Sequence, residues 1–178
     1  MVVAPEGWEE PVILLAEELG AGSVTASVTG GETRADSVRA GLADVPGEAA
    51  VVLVHDAARP LLPEAVIERV ILGLGDGWDG AVPALPVADT LKRADRDAVV
   101  ETVAREDLHV AQTPQAFVGS VLRGALERDV PGASDCAGYV EAAGGRVRLV
   151  EGDPALVKVT TPADLELVEA LLAREAAG

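Results

Sequence analysis

His55, Asp56 and Arg59 fall within five residues in the run VVLVHDAARPLL, residues 51 to 62. Side chains of these types can accept a hydrogen bond from a substrate hydroxyl, hold a divalent cation or bind an anion, and their spacing does not choose among these roles. Ala57 and Ala58 leave room for a ligand to approach the backbone, and Gly30-Gly31, at a predicted strand-to-helix junction, gives the same access. A plainer reading of residues 55–60 is a loop in which Asp56 caps the following helix. The basic residues narrow the choice. A formal net charge of −16 repels a phosphorylated ligand, so any site for one needs a local cluster of cations. Lysine occurs only at Lys92 and Lys158, against twelve arginines, and its compact charge differs in use from a guanidinium such as that of Arg105, which can grip a phosphate with two parallel N–H groups. Cys136 is the sole cysteine and reads as a small buried hydrophobe.

The elements that must carry these residues alternate between strand and helix. Val51 to Val54 is a short β-branched run of the kind covered on both faces of a parallel sheet, which puts His55, Asp56 and Arg59 at its carboxyl end, where open α/β sheets bind ligands. Strands are expected at VVAP, SVTASV, GAVPALP and RVRLVE, and helices at Trp8 to Leu19, Thr33 to Leu42, Glu64 to Leu74, Val118 to Arg128 and Asp135 to Ala143. The last helix has Thr161 as N-cap, Pro162 at its first position and Asp164 three residues after the cap. Between Asp89 and Phe117 the alternation breaks, and TLKRA and AVVETV flank the polar turn DRD, which predicts a β-arm over about residues 88–112. The chain of 178 residues is expected to form one domain, a three-layer, mostly parallel α/β fold. No apolar run approaches the ~18 residues of a membrane span, no basic stripe invites nucleic acid, and the expected setting is cytoplasmic.

The segments GGETRADSVRAGL, VLVHDAARP, PVADTLKR, TVARE, QTPQAF, SDCA and KVTTPADL, in this order and spacing, resemble the 2-C-methyl-D-erythritol 4-phosphate cytidylyltransferase family of the non-mevalonate isoprenoid pathway. The resemblance implies a Rossmann-like nucleotidyltransferase domain that moves a cytidylyl group from CTP to the phosphate of methylerythritol phosphate, releases pyrophosphate and uses Mg2+, whose ligands it leaves unassigned. It implies catalytic roles for Lys158, Arg105 and Asp56. Gly31, Glu32, Ser37 and Ala57 would line the nucleotide pocket, and Thr90, Thr113, Ser134, Arg105 and Lys158 would meet the sugar-alcohol phosphate. Glu32 stands where the family usually has Asp, and Ser134 where it more often has Thr. Thr90 and Arg105 belong to the arm, which in the family crosses into the partner of a homodimer. Such chemistry brings two anions together, so it depends on positioning and charge neutralisation more than on a general base. His55 is read as structural.

The family's glycine-rich loop for the triphosphate has no counterpart here, and the cluster LGLGDGWDG at 72–80 carries acids in place of bases and is read as an ordinary loop. VVAP corresponds to the family's second strand, so the sequence is read as an N-terminally truncated domain without its first strand, loop and helix. In the strand order 3-2-1-4 that first strand lies between VVAP and VVLV, and its absence is expected to leave strand edges unpaired or to force those two strands together. Two other readings follow: a ribitol-5-phosphate cytidylyltransferase, which shares many motifs, and a non-catalytic sugar-phosphate-binding or dimerising relative.

Overall fold

The computed structural model describes residues 1–175. Its elements in chain order are β1 (Val2–Ala4), α1 (Glu9–Glu18), β2 (Ser27–Thr29), α2 (Arg34–Ala43), β3 (Val51–Val54), α3 (Glu64–Leu72), β4 (Gly80–Pro86), β5 (Leu91–Asp95), β6 (Ala98–Val103), β7 (His109–Ala111), β8 (Gln115–Val118), α4 (Gly119–Leu126), α5 (Cys136–Ala142), β9 (Val147–Glu151) and α6 (Pro162–Glu175). Strands β3, β8, β4, β7 and β9 form a five-stranded sheet, while β1 pairs with β2 and β5 with β6 in separate two-stranded sheets.

Strict alternation of side chains along the central strands sends each face of the large sheet to its own helices. Val52, Val82 and Phe117 enter one apolar cluster with Leu122 of α4 and Val140 of α5. Their neighbours Ala81 and Ala116 enter a second cluster with Val66 and Val70 of α3. Helices thus cover both faces, which is the three-layer α/β arrangement expected from the sequence.

Strand direction adds a feature that the sequence reading missed. β3 and β4 both run antiparallel to β8, and β9 runs parallel to β4, so β3, β4 and β9 share one direction. β7 and β8 together follow β4 antiparallel along the edge opposite β9, and the chain turns between them at Gln112 to Pro114, where the Thr113–Pro114 peptide is cis. That turn carries β8 over to β3. The arm proper spans β5 and β6, whereas His109 to Ala111, expected in the arm, returns to pair with β4.

Capping follows the sequence closely. Thr33 accepts from the Asp36 amide while Asp36 accepts from the Thr33 amide, a full capping box at α2. At α6 the Asp164 carboxylate accepts from the Thr161 amide at 2.8 Å and the Thr161 hydroxyl accepts from the Asp164 amide at 3.3 Å. The Asp164 carboxyl is held at about 2 by bonds from the Thr160 amide and hydroxyl and from Thr161.

Among the described residues β1 has no partner but β2, and β3 none but β8. A cavity of about 420 Å³ separates them, walled by Val2 and Val3 on one side and Val52 and Val54 on the other, with Val38 and Leu42 of α2 also lining it. Of the two expected outcomes, unpaired edges are what the fold contains.

Candidate functional site

Asp56 follows β3 at its carboxyl edge, where the turn at Thr113 brings β8 alongside. The Thr113 hydroxyl accepts from the Asp56 amide at 3.0 Å and lies 3.1 Å from His55 Nδ1, and His55 Nε2 lies 2.9 Å from the Arg59 carbonyl. One proton arrangement satisfies all three: His55 Nε2–H donates to the carbonyl and its Nδ1 accepts from Thr113. His55 therefore braces the loop, as expected. Arg59 donates to the Leu156 carbonyl, which ties the same loop to the segment before Lys158.

Two cations converge on Asp56. Arg34, the first residue of α2, donates to Oδ1 from Nε at 3.2 Å and Nη2 at 3.1 Å, and Lys158 donates to Oδ2 from Nζ at 2.9 Å. Burial opposes ionisation of Asp56, but the bond from Lys158 and the charge of Arg34 outweigh it and hold the carboxyl below its usual range. The third contact of Arg34 is Nη1 to the Cys136 sulfur at 3.4 Å. Burial pushes the Cys136 thiol up, so it is neutral there.

A second cavity, of about 620 Å³, opens on the other side of Arg34, lined by Arg39 of α2, Ser134, Asp135 and Cys136. Asp56 and Ala57 line the 420 Å³ cavity together with Ser37, whose Oγ accepts from the Gly31 amide at 3.1 Å. A Cβ on Gly31 would lie 2.3 Å from the Cβ of Asp36, so only glycine allows this close turn into α2. Glu32 is exposed beside it.

Of the residues expected at the site, the fold gathers Asp56, Lys158, Thr113, Ala57 and Ser37 around the end of β3, with Gly31 bonded to Ser37 and Ser134 across Arg34. Thr90 and Arg105 lie elsewhere: both are exposed on the arm, Arg105 donates to the Ala88 carbonyl, and neither borders the two cavities. The loop at 73–79 precedes β4, at the sheet edge opposite Asp56, and Trp78 is stacked there by Arg146 and Arg148, 4.3 and 5.0 Å from the ring centre. Arg34 is the residue that the sequence reading passed over. The available signal was a cation in the first turn of a helix, where the macrodipole disfavours it.

Among the described residues no group of three His, Cys, Asp or Glu side chains is arranged to hold a metal ion. Both oxygens of Asp56 are occupied by cations, so the residues present do not form a ready Mg2+ site. No described helix is long and apolar enough to cross a membrane.

Residues 3–174 match the family model described as 2-C-methyl-D-erythritol 4-phosphate cytidylyltransferase. A protein of that name from Nocardia farcinica is 48% identical over 178 residues, covering 99% of this chain and 75% of its own length. A bifunctional enzyme IspD/IspF from Granulibacter bethesdensis is 56% identical over 144 residues, which are 80% of this chain and 38% of that protein. The crystal structure of the 2-C-methyl-D-erythritol 4-phosphate cytidylyltransferase from Thermus thermophilus superposes with a TM-score of 0.75 at 39% identity, covering 83% of this chain and 73% of that one.

Proposed function

Because this chain belongs to the 2-C-methyl-D-erythritol 4-phosphate cytidylyltransferase family, we propose that its crevice at the end of β3 is the place where a cytidylyl group passes from CTP to methylerythritol phosphate. The family reaction is attack of a phosphate oxygen of the polyol phosphate on the α-phosphorus of CTP, with pyrophosphate leaving. The observation that carries the assignment to this crevice is the pair of Lys158 and Asp56, 102 positions apart in sequence and 2.9 Å apart in space.

In this reading Lys158, whose side chain is 45% exposed, swings from Asp56 to the entering phosphate and offsets part of its charge. The Asp56 oxygen it leaves becomes an acceptor for a polyol hydroxyl. Ser134, in the cavity beyond Arg34, supplies a further hydroxyl, and Thr113 acts by holding the Asp56 backbone while keeping one lone pair for substrate. Gly31, Glu32, Ser37 and Ala57 face the nucleotide. Thr90 and Arg105 act across a homodimer, each arm reaching the crevice of a second copy; their distance from their own Asp56 cluster and the exposed Val99 and Val100 of β6 support this. Mg2+ enters only as the companion of the CTP phosphates.

Pyrophosphate release by the 178-residue chain, given CTP, Mg2+ and methylerythritol phosphate, tests the proposal, with ribitol 5-phosphate as competitor. Because the triphosphate loop has no counterpart in this sequence, the expected result is binding of methylerythritol phosphate that ribitol 5-phosphate does not displace, with little turnover; turnover of about 1 per second or faster would show that the loop is dispensable. Failure both to release pyrophosphate and to bind methylerythritol phosphate would remove the assignment. Binding without turnover that persists when the family's glycine-rich segment is added before residue 1 would favour the sugar-phosphate-binding reading.

A further inference from the structure

Arg34 breaks a local rule. It occupies the first position of α2, where the exposed amides and the macrodipole favour an acid, and where Thr33 and Asp36 already form the capping box. A residue that contradicts its element usually serves something outside it. Here the guanidinium turns away from the helix to Asp56, and alone among the residues lining the two cavities it borders both.

The contacts divide the Asp56 carboxylate. Nε and Nη2 of Arg34 take Oδ1, and Lys158 takes Oδ2. The Arg34 side chain is 32% exposed and also touches the Cys136 sulfur of α5, whereas that of Lys158 is 45% exposed. One cation is thus anchored between two elements and the other is more open to solvent.

We propose that Arg34 is a positioning residue that holds Asp56 by Oδ1, so that Oδ2 stays in place as an acceptor when Lys158 is drawn to a phosphate. The second half of this statement rests on the function assigned to the crevice; the first does not. A lysine at position 34 would keep the charge but could not span Nε and Nη2 on one oxygen while also reaching Cys136. The charged and titratable groups that stand around Asp56 are Arg34 from α2, Lys158 from the segment after β9, Arg59 and His55 from its own loop, and, beyond Arg34, Cys136 of α5 with Asp135 beside it.

The test follows the Asp56 carboxyl carbon by NMR through an acid titration in the native chain and in Arg34→Met, Arg34→Lys and Lys158→Met variants, with the amide spectrum reporting the fold. Methylerythritol phosphate binding at neutral pH is measured on the same samples by calorimetry. Asp56 is expected to titrate below an ordinary aspartate in the native chain and to move up both in Arg34→Met and in Lys158→Met, since each cation supports its charge. Arg34→Lys should weaken polyol phosphate binding tenfold or more with the amide spectrum unchanged. Arg34→Met titrating like the native chain, or Arg34→Lys binding like it, would overturn the proposal. If Arg34→Met does not fold, the Arg34→Lys comparison still decides. Should the native chain bind no polyol phosphate, the assigned function fails, while the titration still judges the hold of Arg34 on Asp56.

Discussion

The Thr113 hydroxyl has two tasks, accepting from the Asp56 amide and meeting His55 Nδ1, at a residue only 4% exposed. Replacing it by the isosteric Val removes the acceptor and leaves a half-buried N–H unpaired, a loss of about 1–3 kcal/mol. Thr113→Val should therefore lower the unfolding free energy by that amount, read as a lower urea midpoint with an unchanged slope; an unchanged midpoint would mean that water replaces the hydroxyl. At this scale the sequence was informative where a residue sits inside a distinctive run. Asp56 stood out because it ends a β-branched strand, and Lys158 because lysine is scarce. Arg34 is one of twelve arginines, and nothing in the spelling TRADSVR says that it reaches a carboxylate 22 positions on. Such a contact depends on how α2 lies against β3, which is a tertiary fact.

Elements with strong local signals were readable, and those made by distant pairing were not. β4 lies on GAVPALP, and both capping boxes follow from Thr and Asp three residues apart. β8 has no such signature: Gln115, Ala116 and Phe117 are all buried, without alternation, and the strand exists because β3 and β4 flank it. Its exit into α4 is equally tight. A Cβ at Gly119 would lie 2.1 Å from the Ala49 carbonyl oxygen, whereas one at Gly124, in the same helix, meets nothing within 4 Å. Gly119→Ala must displace backbone and should cost about 1–3 kcal/mol or more. Gly124→Ala should gain about 0.4–1 kcal/mol by restricting the unfolded chain and favouring helix. Opposite shifts in thermal unfolding temperature for the two variants are the expected result, and equal shifts would show that α4 can slide away from residue 49.

At the scale of the whole molecule, the open edge foreseen from the motif order has a mechanical consequence. β1 and β2 pack on α1 and α2, and the 420 Å³ cavity lies where a continuous sheet would have carried hydrogen bonds from β1 toward β3. Leu14 and Leu15 of α1 and Leu19 at its C-cap are more than half exposed, so this helix adds little burial. By contrast β4 is bonded on both edges and covered on both faces. Opening of residues 1–30 then breaks only the β1–β2 ladder and its contacts with α1 and α2, while opening β4 requires loss of both apolar clusters. Native-state hydrogen exchange should show the β1 and β2 amides exchanging at least a hundredfold faster than those of β4, a gap of about 2.7 kcal/mol in opening free energy. A salt series is the control, because the net charge of −16 strains the entire chain and its screening should slow both sets together. Equal protection in β1 and β4 would mean that α2 alone couples the two sheets into one cooperative unit, and that the cavity between them carries no mechanical weakness.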